Sequence, residues 1–203
     1  MKIVIFGSTV MTAKVCRLLK EEHDIVGYIP SVKPNFPGDM SEFKRIRQLP
    51  EDYDIKLSIQ FDRKIKKLEN AFNLHTGILG DWGGCDILYH TLKSGHHEQG
   101  LTFHGLTSEY DYGPIISKVT YPVFTDDTPV TLYERMLNIT PGFCTTALRT
   151  LENIGLDRVS ECHQVKPRIF KRKVDIDPGG LEEYKQTYYR IYERLKLLGE
   201  INE

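Results

Sequence analysis

Short apolar runs alternate with helical periodicity along the first half of the chain. "KIVIFG", Lys2 to Gly7, is a β-branched run closed by glycine. "TAKVCRLLKEEH" follows, with Val15, Leu18 and Leu19 spaced for one helix face. "DIVGYIP" is a second apolar run, stopped by Pro30. Such continuous apolar strands, joined by a helix, predict a β-α-β unit in a parallel sheet covered on both faces. Residues 31–54 hold Pro34, Pro37, Gly38 and Pro50 and read as a long loop, with one short helix over Ser41 to Arg47. "IKLSIQF", Ile55 to Phe61, predicts a third strand and "AFNLHT" a fourth.

"DILYHTLKSG" predicts a helix stopped by Gly95. "LTFHGL" and "PIISKVTYPV" predict strands that pair with each other or with the main sheet. "TPVTLYERMLNITPGFCTTALRTLENIG" predicts helical segments, with Pro141-Gly142 as a break, a kink or a late start. From about Cys162 the character changes to a basic patch, Lys166 to Lys173, and then a helix from Leu181 to Leu198. The expected organisation is an α/β unit over residues 1–160 and a C-terminal extension over 161–203. There is no internal repeat and no low-complexity segment.

The 203 residues suffice for one sizeable core. A net charge of -1 gives no global field toward nucleic acid or an acidic membrane, although a local basic patch stays compatible with it. The four cysteines, Cys16, Cys85, Cys144 and Cys162, show no C-x-x-C pair and no zinc-like spacing with histidine. The expectation is reduced, mostly buried thiols in a cytoplasmic protein. No apolar run is long enough to span a membrane, and "MKIVIFGS" lacks the features of a signal peptide.

Three polar residues stand out: Asn73, His75 and Asp111. Residues two apart on a strand share a face, so Asn73 and His75 point the same way. Asp111 lies in "SEYDYGPII", a loop leading into a strand, and would approach from a neighbouring strand end. Ligand sites in open α/β sheets gather at the carboxyl ends of strands. The three residue types suit acyl transfer to an amine. An amide N–H and an imidazole stabilise the negative charge that develops on a carbonyl oxygen, and one positioned donor is worth about 3–4 kcal/mol. Histidine titrates near neutrality and moves protons, while a carboxylate orients it or accepts the amine proton through water. The bland alternative is a packed strand-edge histidine, since Asn-x-His by itself is a weak signal.

Resemblance sharpens this reading. "NLHTGILGDWGG", "GLTFH" and "YDYGPII", in that order, resemble the N10-formyltetrahydrofolate-dependent formyltransferase family. In that family an Asn-x-His strand end leads into a serine-leucine-leucine-proline turn, a helix, a Gly-Val-Thr-type strand and an Asp-x-Gly loop. Asp111 follows His75 by 36 positions (111 − 75), which fits without a gap. The resemblance implies a Rossmann-like three-layer sandwich with a mostly parallel sheet and N10-formyltetrahydrofolate as formyl donor. It also implies that Asn73 holds the formyl oxygen, that His75 polarises it and shuttles protons, and that Asp111 supports His75. The turn departs from the pattern. Thr76 replaces the usual proline, Gly77 the serine, Gly80 the turn proline and Gly83 the arginine. That departure means either a reshaped acceptor pocket or a drifted, inactive relative.

The same resemblance places the pterin against the turn after the third strand, walled by Phe61, Ile65, Leu79 and Tyr110. Plain core packing is the alternative for each of these four. "FGSTVMTAKV" does not match the phosphate loop of glycinamide ribonucleotide formyltransferases; it resembles the opening of the methionyl-tRNA and sugar-nucleotide branches. The tRNA enzymes add a C-terminal domain for which the tail after Cys162 is short. Formyltetrahydrofolate hydrolases usually carry an extra N-terminal domain. The implied partner is therefore a small amine acceptor, an amino sugar on a nucleotide diphosphate, with nucleic acid and membrane not expected. Trp82 and Arg168 are the candidate acceptor contacts, Arg168 gripping a pyrophosphate. The competing reading of "KPRIFKRK" is a solvated, charged edge strand. His96 and His97 lack further ligands, so no metal is expected. His104 faces the site only if its strand lies beside that of His75. The last helix, through Leu181, Tyr184, Tyr188, Ile191, Leu195 and Leu198, covers its own domain or pairs with a second copy in a homodimer.

Overall fold

The computed structural model describes residues 1–170 and 180–201. Lys171, Arg172 and Lys173 of the basic patch lie outside the described residues. The chain opens with β1 (Lys2–Phe6), α1 (Val10–Leu19) and β2 (Asp24–Ile29), the expected β-α-β unit. Helix α1 starts two residues earlier than its apolar spacing suggests. Thr9 caps it, and Thr9 and Thr12 each accept from the other's backbone N–H in a capping box. Then come β3 (Ile55–Ile59), β4 (Ala71–His75), the two-residue β5 (Gly83–Gly84) and α2 (Ile87–Ser94). The second half holds β6 (Glu98–Gly105), β7 (Ile115–Pro122), α3 (Pro129–Ile154), a 3-10 turn (Leu156–Glu161), β8 (Ile169–Phe170) and α4 (Gly180–Leu197).

Six strands form one sheet in the order β2-β1-β3-β4-β6-β7. The first four run parallel, β6 runs antiparallel to β4, and β7 antiparallel to β6. This is the Rossmann-like α/β class with a mostly parallel sheet. "LTFHGL" and "PIISKVTYPV" therefore pair both with each other and with the main sheet. The near-complete burial of β1 and β3 follows from position, because both are interior strands; β3 is buried throughout, Lys56 and Ser58 included. Among the described residues no helix is long and apolar enough to cross a membrane.

Two local expectations are corrected. Ser41 to Arg47 is not a helix. Its backbone lies along β2, with the Tyr28 N–H donating to Lys44 O and the Ile46 N–H to Tyr28 O, both at 2.9 Å. A two-turn helix is costly to nucleate, whereas the edge of β2 offers ready partners. Pro141-Gly142 does not break α3, which is one helix of 26 residues. Proline removes one helix hydrogen bond and costs about 3 kcal/mol. The buried stripe runs on through it, from Leu132, Met136 and Leu137 to Phe143, Cys144, Ala147, Leu148 and Leu151. Each Leu-sized side chain buried is worth about 1.5–3 kcal/mol, so packing outweighs the lost bond.

The cysteines divide evenly rather than being mostly buried. Cys16 and Cys144 are buried, Cys85 is exposed and Cys162 half-buried. Burial pushes the Cys16 thiol up to about 12. The α4 stripe is used within the chain: Ile191 and Leu195 are buried in the same core as β1, β3 and α3, while Tyr189, Leu197 and Leu198 stay exposed. Leu148 has no exposed surface. Leu148→Ala is expected to lower stability by about 2–5 kcal/mol, read as a shifted urea midpoint at unchanged slope.

Candidate active site

Strand β4 delivers two side chains to one face at its carboxyl end, and β6 delivers a third. Asn73 stands directly opposite His104 in the antiparallel ladder, and His75 opposite Thr102. Side chains paired across a ladder share a face and come into contact. The Asn73 Nδ2–H accordingly meets His104 Nε2 at 3.3 Å. The His104 Nδ1–H donates to the Gly105 carbonyl at 2.9 Å, which leaves Nε2 as the accepting nitrogen. Burial, with the neighbouring His75 adding to it, pushes the His104 imidazole down to about 4 against the opposing pull of Asp111. His104 is thus neutral at pH 7, and it takes one of the two Asn73 N–H groups. The other is available to an oxygen bound just beyond the strand end.

His75 is 6 % exposed, and both its ring nitrogens face polar atoms. Nε2 lies 2.8 Å from the Trp82 carbonyl, an atom that only accepts, so Nε2 carries the proton. Nδ1 is left as the basic nitrogen, 3.5 Å from Asp111 Oδ1. That same oxygen is 3.8 Å from His104 Nε2. The second carboxylate oxygen, Oδ2, accepts the Gly84 N–H at 2.6 Å. Asp111 sits at φ +49° in the left-handed region, which aspartate tolerates better than most residues. Its loop is closed by the Thr107 hydroxyl, which donates to the Tyr112 carbonyl. A donor, a proton-accepting imidazole and an anchored carboxylate therefore converge from two chain segments.

The turn between His75 and α2 is built around close approaches. A Cβ on Gly77 would lie 2.7 Å from Trp82 O and 2.8 Å from His75 Nε2, inside that hydrogen bond. Thr102 pins the turn from below: its hydroxyl donates to Gly77 O at 2.7 Å and accepts the Leu79 N–H at 3.1 Å.

The remaining sequence candidates are dispersed around this centre. Tyr110 is 65 % exposed, with the Lys64 ammonium 4.6 Å from its ring centroid, so the turn after β3 and the Asp111 loop are neighbours. Phe61 packs edge-on to Phe6 at 5.2 Å, under the Arg63 guanidinium. Ile65 is half-buried. Leu79 is buried, and what it presents to a neighbouring strand is its backbone N–H. The Trp82 indole is also buried, packed with Ile78 and Ile87 and edge-on to His96; its carbonyl is the part that reaches the site. Arg168 is exposed and takes part in the site's surroundings through its backbone. His104 is the functional residue that the sequence pattern underrates. Its sequence signal is the alternate position it shares in "LTFHGL", which acquires meaning once the β4–β6 register is known.

Asn73, His75 and Asp111 converge at a strand end of an open α/β sheet, where ligand sites of such sheets gather. Residues 62–148 match the family described as formyl transferase. Among curated proteins, the bifunctional polymyxin resistance protein ArnA of Wigglesworthia glossinidia brevipalpis is 28% identical over 137 residues, covering 66% of this chain and 20% of that protein. Methionyl-tRNA formyltransferase of Pseudomonas entomophila is 27% identical over 152 residues, covering 74% of this chain and 48% of that protein. The chain thus spans about half, or less, of the length of these relatives. Among solved structures, an N-formyltransferase from Helicobacter canadensis, in complex with folinic acid and dTDP-3-aminofucose, shares the fold. The TM-score is 0.67 at 19% identity, over 95% of this chain and 80% of that one.

His104 generates a pH dependence with a definite sign. A histidine held below its ordinary value is neutral when folded and takes up a proton when unfolded, so its stabilising effect is lost as pH falls from about 6.5 toward 4. The expected loss is at most about 1.4 kcal/mol per pH unit in that window. His104→Gln, which cannot titrate, should flatten that slope in denaturation curves taken from pH 7 to pH 4.5.

Proposed function

We propose that this protein transfers a formyl group from N10-formyltetrahydrofolate to the primary amine of a small acceptor, an amino sugar carried on a nucleotide diphosphate. The observation that carries the reading is the convergence of Asn73, His75 and Asp111 at the end of β4. The folate supplies an activated formyl carbon. Asn73, with one N–H oriented by His104 and the other directed toward the bound carbonyl, donates to the oxygen that gains charge as the amine adds. His75 Nδ1, backed by the Asp111 carboxylate, accepts the proton that the amine must shed and returns it to the departing folate nitrogen. The bond from carbon to the acceptor nitrogen forms, the bond to the folate nitrogen breaks, and one proton passes between them. No nucleophilic serine or cysteine is required.

A pterin site beside the catalytic groups is supported by the Lys64–Tyr110 contact, which brings the turn after β3 against the Asp111 loop. Support for the acceptor comes from the Helicobacter canadensis enzyme, which holds folinic acid and a dTDP-linked amino sugar. The methionyl-tRNA relative favours a second reading, an aminoacyl-tRNA acceptor. The net charge of -1 weighs against it, since RNA affinity rests on neutralised phosphates.

Calorimetry with 5-formyl tetrahydrofolate, followed by turnover assays over a panel of amino-sugar nucleotides, tests the proposal. Turnover of at least one panel member is expected. Binding of folate with no acceptor turnover identifies a non-catalytic relative, and a strongly salt-dependent RNA complex supports the tRNA acceptor. Asn73→Ala is expected to lower kcat about 100- to 1,000-fold, as for loss of one oxyanion donor. His75→Ala should cost at least about 100-fold. Near-normal turnover in either variant rules out the assigned role.

A further inference from the structure

The glycines of the turn, Gly80 and Gly83, face the C-terminal segment. A Cβ on Gly83 would lie 2.8 Å from Pro167 Cβ and 2.9 Å from Ile169 Cδ1; one on Gly80 would lie 3.2 Å from Val165 Cγ1. The backbone is tied across the same contact. The Gly83 N–H donates to Arg168 O at 2.9 Å, and the Arg168 N–H donates to Gly80 O at 3.2 Å. Strands β5 and β8 form a short parallel ladder, with Gly83 opposite Ile169 and Gly84 opposite Phe170.

Alternation along the strip 82–84 gives this ladder its consequence. Successive peptide groups of an extended strand point to opposite edges. One edge carries the Trp82 carbonyl, which holds His75, and the Gly84 N–H, which holds Asp111. The opposite edge, at Gly83, is the one bonded to Arg168. The strip therefore has the catalytic groups on one side and the C-terminal segment on the other. The same segment reaches the far side of the Asp111 loop, where the Ile115 N–H donates to His163 O at 2.8 Å. Beyond the strip, Tyr184 and Tyr188 of α4 donate their hydroxyls to Asp86 Oδ1 at 2.8 and 2.9 Å.

We propose that the C-terminal segment 163–170 is a positioning element for the catalytic groups. By pairing with the far edge of the strip 82–84 it sets the Trp82 carbonyl against His75 and the Gly84 N–H against Asp111, and Gly83 is the residue that lets it dock. A side chain at position 83 pushes the segment away, turns the strip and misaligns the imidazole with the carboxylate, while the folate-side candidates Phe61, Ile65 and Tyr110, which lie outside both, keep their places. This rests on the formyl-transfer reading only for its kinetic readout.

The test compares wild type, Gly83→Ala, and Gly83→Ala combined with Pro167→Gly and Ile169→Val, which remove the two atoms that the new methyl would meet. Two readouts are taken. The first is formyl-transfer kinetics: Gly83→Ala should lower kcat about tenfold with KM for the folate within twofold, and the triple variant should recover to within threefold of wild type. The second is the proton NMR signal of the His75 Nε2–H, which is independent of turnover. It should shift upfield and exchange faster in Gly83→Ala and return in the triple variant. An unchanged kcat together with an unmoved ring signal overturns the proposal, and so does a loss that the triple variant fails to restore. If wild type transfers no formyl group, the functional reading fails while the ring signal still decides the positioning role.

Discussion

A buried imidazole must find a partner for each of its nitrogens, and His75 is almost wholly buried. That requirement organises the site. The Trp82 carbonyl meets Nε2 and thereby decides which nitrogen is basic. The remaining nitrogen faces Asp111, whose own second oxygen is held by a backbone N–H of the same strip. Tautomer, carboxylate orientation and the path of the turn are therefore set by one stretch of main chain. Main-chain donors and acceptors are rigid and carry no rotamer entropy, so they hold geometry better than side chains on loops would.

The sheet supplies the second constraint. Four parallel strands bring β4 to the interior, and the reversal at β6 lays an antiparallel partner beside it. Antiparallel register places His104 directly across from Asn73, which no further parallel strand would do from the same sequence position. Burial then keeps His104 neutral, and its neutrality makes it an acceptor that orients the Asn73 amide. A charged imidazole at that position would donate instead and would turn the amide around. One buried, neutral histidine thus fixes the direction of the amide beside it.

The glycine-rich turn now has a physical account. Gly77 makes room for the bond between His75 and Trp82, and Gly80 and Gly83 make room for the C-terminal segment. A Cβ at Gly77 or Gly83 would come within 3 Å of atoms already there, and one at Gly80 would press on the Val165 methyl at 3.2 Å. The turn is not loosened by its glycines, because Thr102 and Arg168 bind it from two sides. Residues 163–170, which hold the start of the basic patch Lys166 to Lys173, are structurally part of the site's surroundings.

The sequence alone determined the strands and helices that local patterning controls. β1, β2, β3, β4, α2 and α4 begin within a residue of where apolar spacing places them, α1 begins two residues earlier behind its Thr9 cap, and the Asn73/His75 face follows from strand alternation. Only the tertiary structure decided what depends on neighbours distant in the chain. The register that seats His104 beside Asn73, the β2 edge that draws out residues 44–46 as an extended bridge, and the packed stripe that carries α3 through Pro141 are of this kind. So is the docking of the segment 163–170 onto the turn. The physical reason is common to all four: hydrogen bonds and burial supplied by remote segments exceed what local propensity contributes, a fraction of a kcal/mol for an ordinary residue and about 3 kcal/mol at Pro141, so the outcome is written in the contact and not in the segment.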